Sequence, residues 1–156
     1  MDGVIGLHGE SMGASVSLTW ASKYDNNGIS FLIEDCGYAD LYDLYYERLS
    51  DYQVPKFVRP AILYYTSFFF FFLAGFSLND ISPIKNIGKI NLPVLFIHGS
   101  ADNFVMPEMA KEMFDNKIGI KEIYFAPGAG HAKSINTDVN RYEAVISAFH
   151  CDVIEK

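Results

Sequence analysis

Val4-Ile5-Gly6-Leu7-His8-Gly9-Glu10-Ser11-Met12-Gly13 is a short apolar run that ends in Gly9-Glu10-Ser11-Met12-Gly13 and passes into a helix-like segment. It reads as strand, sharp turn, helix. A G-x-S-x-G turn in that setting holds its serine in a strained backbone conformation, with flanking glycines removing side chains that would collide with it. The Ser11 hydroxyl then projects at the tip of a sheet. N–H groups at the start of the following helix, beginning with Met12, point to where an oxyanion develops. Ser11 is the candidate nucleophile and the Met12 N–H a candidate oxyanion donor. The competing reading is an ordinary strand-to-helix turn, because glycine and serine fall at this spacing by chance.

Downstream, Met12, Val16 and Trp20 recur at helical spacing, and Gly13, Ala14, Ser15 and Ser17 are small enough for close helix-to-sheet approach. Asp25-Asn26-Asn27-Gly28 supplies turn chemistry. Ile29-Ser30-Phe31-Leu32-Ile33 then reads as a strand buried on both faces. Asp35, at its carboxyl end, reads as a solvated or capping carboxylate. Leu41, Leu44, Tyr45, Leu49 and Tyr52 form one stripe of an amphipathic helix with Asp40 as N-cap and Pro55 closing it. An aromatic run follows over 61–76, with five consecutive phenylalanines at 68–72. At sixteen residues it falls short of the roughly 20 of a membrane span, so it reads as a buried or lid helix. Residue Ser82, before Pro83, is pushed out of the α region. The whole stretch 40–90 is long for a simple crossover and is expected to be a helical, lid-like insertion.

Val94-Leu95-Phe96-Ile97-His98 is a third apolar strand, turning at Gly99-Ser100-Ala101-Asp102. Pro107 suits a first helical position before Met109, Met113 and Phe114, with Gly119 ending that helix. Lys121-Glu122-Ile123-Tyr124-Phe125 is a fourth strand, followed by the loop Pro127-Gly128-Ala129-Gly130-His131. Tyr142, Val145, Ile146, Phe149 and Val153 share one face of a last helix. Strands alternating with helices predict parallel βαβ units, whose right-handed crossovers bring the carboxyl ends of all four strands to one edge. Ser11, Asp102 and His131 each follow a different strand at that edge, in the chain order Ser, Asp, His. His8 and His98 read as hydrogen-bonded structural residues, and His150 as partly exposed.

Three stretches, Gly6-Leu7-His8-Gly9-Glu10-Ser11-Met12-Gly13-Ala14, Leu95-Phe96-Ile97-His98-Gly99-Ser100-Ala101-Asp102 and Pro127-Gly128-Ala129-Gly130-His131, resemble the α/β-hydrolase superfamily. Their wording is similar to its bacterial serine-aminopeptidase-like and esterase-like branch. The resemblance implies an α/β fold that is a partial α/β-hydrolase, with about four parallel strands, flanking helices and the lid-like insertion, in one domain over 1–156. It implies Ser11 as nucleophile, His131 as general base and then acid, Asp102 as the group orienting His131, and the Met12 N–H as one oxyanion donor. The implied activity is hydrolysis of an ester, thioester or amide of a small molecule or peptide, through an acyl-enzyme and without metal or organic cofactor. The family carries further strands before the nucleophile turn, and a loop there supplies the second oxyanion N–H. Only the C-terminal portion of the domain is matched. A truncated chain, weak or inactive alone, that self-associates or takes up an upstream half-domain is therefore the companion expectation, with an inactive interaction module as the rival reading.

Bulk properties bound the rest. Half of the 156 residues are hydrophobic, enough for a substantial core, and disorder is excluded. Twelve basic against 19 acidic residues give a net charge of −7, without a basic run to neutralise phosphates, so nucleic-acid binding is not expected. The two cysteines, Cys36 and Cys151, do not make a disulfide framework; with no secretory signal in view, a reduced cytoplasmic setting is expected.

Overall fold

The computed structural model describes residues 3–24 and 28–154. The expected turn at Asp25-Asn26-Asn27 therefore lies outside the described residues. Four strands, β1 (Ile5–Glu10), β2 (Ile29–Asp35), β3 (Val94–Gly99) and β4 (Lys121–Ala126), form one parallel sheet in the order β1-β2-β3-β4. Among the described residues six helices accompany it: α1 (Met12–Ala21), α2 (Leu41–Arg48), α3 (Arg59–Ala74), α4 (Pro107–Asn116), α5 (Ser134–Thr137) and α6 (Val139–Ile154). Three single-turn 3-10 segments lie between α3 and β3.

Alternation along the strands sorts the core into two layers. Leu32, Val94 and Phe96 pack with Leu18 and Met113 of α1 and α4, whereas Phe31, Ile33, Leu95 and Ile97 face Tyr142 and Phe149 of α6. β3 is buried at every position, which explains its apolar run from Val94 to Ile97. The α6 stripe behaves as its periodicity predicts, with Tyr142 and Phe149 buried and Val145, Ile146 and Val153 packed beside them.

Several expected faces and ends differ. In α1 the small residues Ala14 and Ser15 do lie against the sheet as expected, together with Leu18 and Ala21, whereas Met12 and Val16 of the apolar periodicity are exposed. Small side chains win there because they let the helix approach the strands closely, and the larger ones are left outside. In α2, Asp40 caps as expected, its Oδ1 accepting from the N–H groups of Tyr42 (2.8 Å) and Asp43 (3.2 Å). That helix ends at Arg48, well before Pro55, and only Leu41 and Leu44 of the stripe are buried; Tyr52 is 81% exposed. α4 likewise stops at Asn116, and Gly119, at φ 82°, turns the chain into β4. The aromatic helix α3 is not a buried helix: within it only Arg59 and Leu63 are buried. Arg59 anchors its start, Nε donating to the Val54 carbonyl (3.0 Å) and Nη1 to that of Tyr46 (3.2 Å). Gly75 ends it in the left-handed conformation, φ 75°.

Candidate active site

Ser11 sits between β1 and α1 at φ 52°, ψ −117°, a left-handed conformation that costs a serine conformational energy. The turn is held by long-range bonds: the Ser11 N–H donates to the carbonyl of Asp35 at 2.8 Å, and the Ser11 carbonyl accepts from Ala14 (3.1 Å) and Ser15 (3.2 Å). Gly9 is required by contact, since a Cβ there would lie 2.5–2.6 Å from backbone atoms of Gly13 and Ala14. Gly13 is not, because a Cβ there meets nothing within 4 Å. The expectation that both glycines relieve collisions therefore holds for Gly9 alone. Met12 opens α1, so its N–H is among the four that a helix start leaves without an intrahelical partner.

The structure brings Ser11, His131 and Asp102 together. Ser11 Oγ lies 2.8 Å from His131 Nε2, and His131 Nδ1 lies 2.7 Å from Asp102 Oδ2. A carboxylate only accepts, so the proton on that side belongs to Nδ1, and Nε2 is left to accept the serine hydroxyl. Asp102 is 1% exposed. Its Oδ1 accepts the N–H groups of Phe104 (2.8 Å) and Val105 (2.9 Å). Burial pushes this carboxyl up, but hydrogen bonds from His98, His131, Phe104 and Val105 overcome that and hold it at about 2. Gly99 leaves room for the His131 loop, because a Cβ there would collide with the backbone of Ala129 and Gly130.

Two residues of the site were not legible in the sequence as part of it. His98 Nε2 lies 2.9 Å from the Val105 carbonyl and 3.3 Å from Asp102 Oδ2. Both partners accept, so Nε2 carries the proton and His98 steadies the acid from below. The expected structural role is thus met, in direct contact with Asp102. Asp35 is the other, and the expectation of a solvated or capping carboxylate is overturned: it is 2% exposed, accepting from Tyr142 Oη at 2.8 Å and Ser134 Oγ at 3.2 Å. Burial pushes its carboxyl above the usual range, against the pull of those two hydroxyls. His8 Nε2 lies 3.3 Å from Tyr142 Oη, on the same network.

Cys36, Asp102 and His131 place one ligand-type atom each within 4.8 Å of one another. Burial pushes the Cys36 thiol up to about 12. The ring of Phe104 packs against His131 with centroids 4.9 Å apart, and also lines a cavity of about 340 Å³. Tyr45, Leu49, Ile62, Leu63 and Phe70 form most of its apolar wall, bringing α2 and α3 to the edge of the site. No described helix is long and apolar enough to cross a membrane.

No protein-family model matches the chain. The uncharacterized protein YqkD of Bacillus subtilis (strain 168) is 32% identical over 148 residues, 94% of this chain and 48% of that protein. The chain thus spans about half the length of the curated relative it matches. Among solved structures, the Pyrococcus furiosus esterase Pf2001 superposes with a TM-score of 0.66 at 23% identity, over 93% of this chain and 52% of that one. MGS-MChE2, an alpha/beta hydrolase enzyme from a lagoon-sediment metagenome, gives 0.63 at 18% identity, over 96% and 62%. The esterase domain of a Rhodothermus marinus protein gives 0.61 at 16% identity, over 93% and 59%. The chain has the α/β-hydrolase fold, over part of those enzymes' length, consistent with the C-terminal portion its motifs resemble.

Proposed function

We propose that the chain is the catalytic part of a serine hydrolase that forms an acyl-enzyme at Ser11. The observation that carries this reading is the continuous hydrogen-bonded series Ser11 Oγ, His131 Nε2, His131 Nδ1, Asp102 Oδ2, at 2.8 and 2.7 Å. In the proposed cycle, His131 Nε2 takes the hydroxyl proton as Ser11 Oγ attacks an acyl carbonyl. The Met12 N–H meets the developing oxyanion, and His131 returns the proton to the departing alcohol, thiol or amine. Water then repeats the sequence to release the acid. Asp102, held anionic, orients the ring and stabilises its charged form. The substrate class is an ester, thioester or amide of a small molecule or peptide, and the chemistry calls for no metal or organic cofactor. Residues 40–90 act as a lid-like insertion whose cavity beside Phe104 takes an apolar substrate group.

A fluorophosphonate probe tests this reading. The parent chain should label and Ser11→Ala should not; equal labelling of the two would end the assignment. A second reading is an inactive interaction module, favoured by the uncovered apolar side chains of α3. Intact mass after incubation with a p-nitrophenyl ester separates them, since turnover or an acylated species requires the enzyme.

A further inference from the structure

We infer that Asp35 is a positioning residue for the Ser11–His131 pair, tying the nucleophile turn to the segment that carries the histidine. The inference rests on the serine-hydrolase reading. Asp35 ends β2 and works in two directions. Its backbone carbonyl accepts the Ser11 N–H at 2.8 Å, gripping a turn that φ 52° leaves strained. Its carboxylate, on the opposite side of the sheet from α1, accepts the Ser134 hydroxyl at 3.2 Å and the Tyr142 hydroxyl at 2.8 Å.

Ser134 opens α5 three residues beyond His131, and Tyr142 belongs to α6. On the upstream side, the His131 loop is fixed to β3 through the Ala101 N–H to Ala129 carbonyl bond of 2.9 Å. Between these anchors Ala132 stands at φ 55°, so the loop turns tightly and a shift of Ser134 passes to His131. Asp35, Ser134 and Tyr142 are all nearly inaccessible, at 2%, 2% and 4% exposure. A carboxylate in that position is expensive to desolvate, and two hydroxyl donors offset only part of the cost. Apolar packing would serve stability better. What the carboxylate adds is direction: it fixes two hydroxyls from helices following His131 relative to the backbone that holds Ser11. The Tyr142 oxygen, donating to Asp35, can still accept from His8 Nε2 at 3.3 Å, extending the tie to β1.

The test compares Asp35→Ala, Asp35→Asn, the double variant Ser134→Ala/Tyr142→Phe, and Phe149→Leu, a core change in α6 serving as a stability-matched control. Two quantities are read in the full chain: the rate of fluorophosphonate labelling, and the proton resonance of His131 Nδ1, assigned by its loss in His131→Gln. Misplacement of reacting groups by about 1 Å costs about 10²-fold in rate. Asp35→Ala should lose labelling rate on that scale and shift or broaden the resonance. The double variant should do the same, Asp35→Asn should recover part of the rate, and Phe149→Leu at a comparable Tm should keep both readouts. Parent-like rate and resonance in Asp35→Ala, or in the double variant should Asp35→Ala fail to fold, overturn the inference. Equal loss in Phe149→Leu does so as well. If the parent does not label at all, the hydrolase reading fails separately, and the resonance alone decides: it must be present in the parent and altered in Asp35→Ala.

Discussion

Gly9 and Gly13 flank the same serine yet carry different constraints. Replacing Gly9 by alanine drives a Cβ into the Gly13 and Ala14 backbone, whereas Gly13→Ala enters open space. Gly9→Ala is expected to cost about 1–3 kcal/mol, as overpacking does, and to slow Ser11 labelling; Gly13→Ala should do neither. Urea midpoints and probe rates for the two variants check this. A second residue-scale prediction concerns Glu34, which is 1% exposed. Its Oε1 accepts the Gly37 N–H, and its Oε2 has no hydrogen-bond partner. Burial, with the nearby Asp35 adding to it and the Gly37 bond opposing it, pushes this carboxyl well above its usual value near 4.5. The unfolded chain releases the proton first, so stability falls as pH rises above about 4.5. Glu34→Gln removes that dependence, and its Tm relative to the parent should rise between pH 4 and pH 7; a constant difference would count against the buried, protonated acid. Ser11, Asp102 and His131 were legible as one group where chemistry and chain order coincide, and the structure brings their side chains within hydrogen-bond distance. Asp35 was not legible, because its partners lie 99 and 107 residues downstream and a carboxylate after a strand carries no mark of them.

At the scale of elements, apolar periodicity located every strand and the long helices, and failed to orient α1. That helix turns its small side chains inward and engages the chain after β2 through a polar contact: Ser15 Oγ donates to the Tyr38 carbonyl at 2.9 Å and accepts the Tyr38 N–H at 2.8 Å. Both groups are buried. Ser15→Ala leaves a carbonyl and an amide unpaired and should lower stability by about 1–3 kcal/mol. The Ser11 turn keeps its own bonds to Asp35, Ala14 and Ser15 backbone atoms, so labelling of the folded variant should persist. Chemical denaturation together with probe labelling tests the pair of statements; loss of labelling without loss of stability would contradict them. α3 was equally ambiguous from sequence, since a run of aromatics satisfies both a buried helix and a lid. Its surroundings decide the outcome: α2 and one 3-10 segment cover only the side that carries Leu63.

For the molecule as a whole, two uncovered apolar features matter together. Among the described residues β1 pairs only with β2, so its other edge presents backbone N–H and C=O groups beside Val4 and Ile5, which are 40% and 57% exposed. Such an edge invites a strand from another chain. On α3, Phe68, Phe69, Phe71, Phe72 and Leu73 are each at least 56% exposed, and contiguous apolar surface of this kind marks an interface or an aggregation risk. The chain expressed alone is therefore expected to self-associate, which sedimentation velocity would show as a concentration-dependent shift above the monomer. Ile5→Lys places a charge on the β1 edge and Phe72→Lys places one on α3, so the two variants tell which surface mediates association. Restoration of the monomer by Ile5→Lys alone assigns it to strand pairing, and by Phe72→Lys alone to the aromatic helix. A parent chain that sediments as a monomer at all concentrations and hydrolyses esters at an ordinary enzymatic rate would show that neither surface needs a partner.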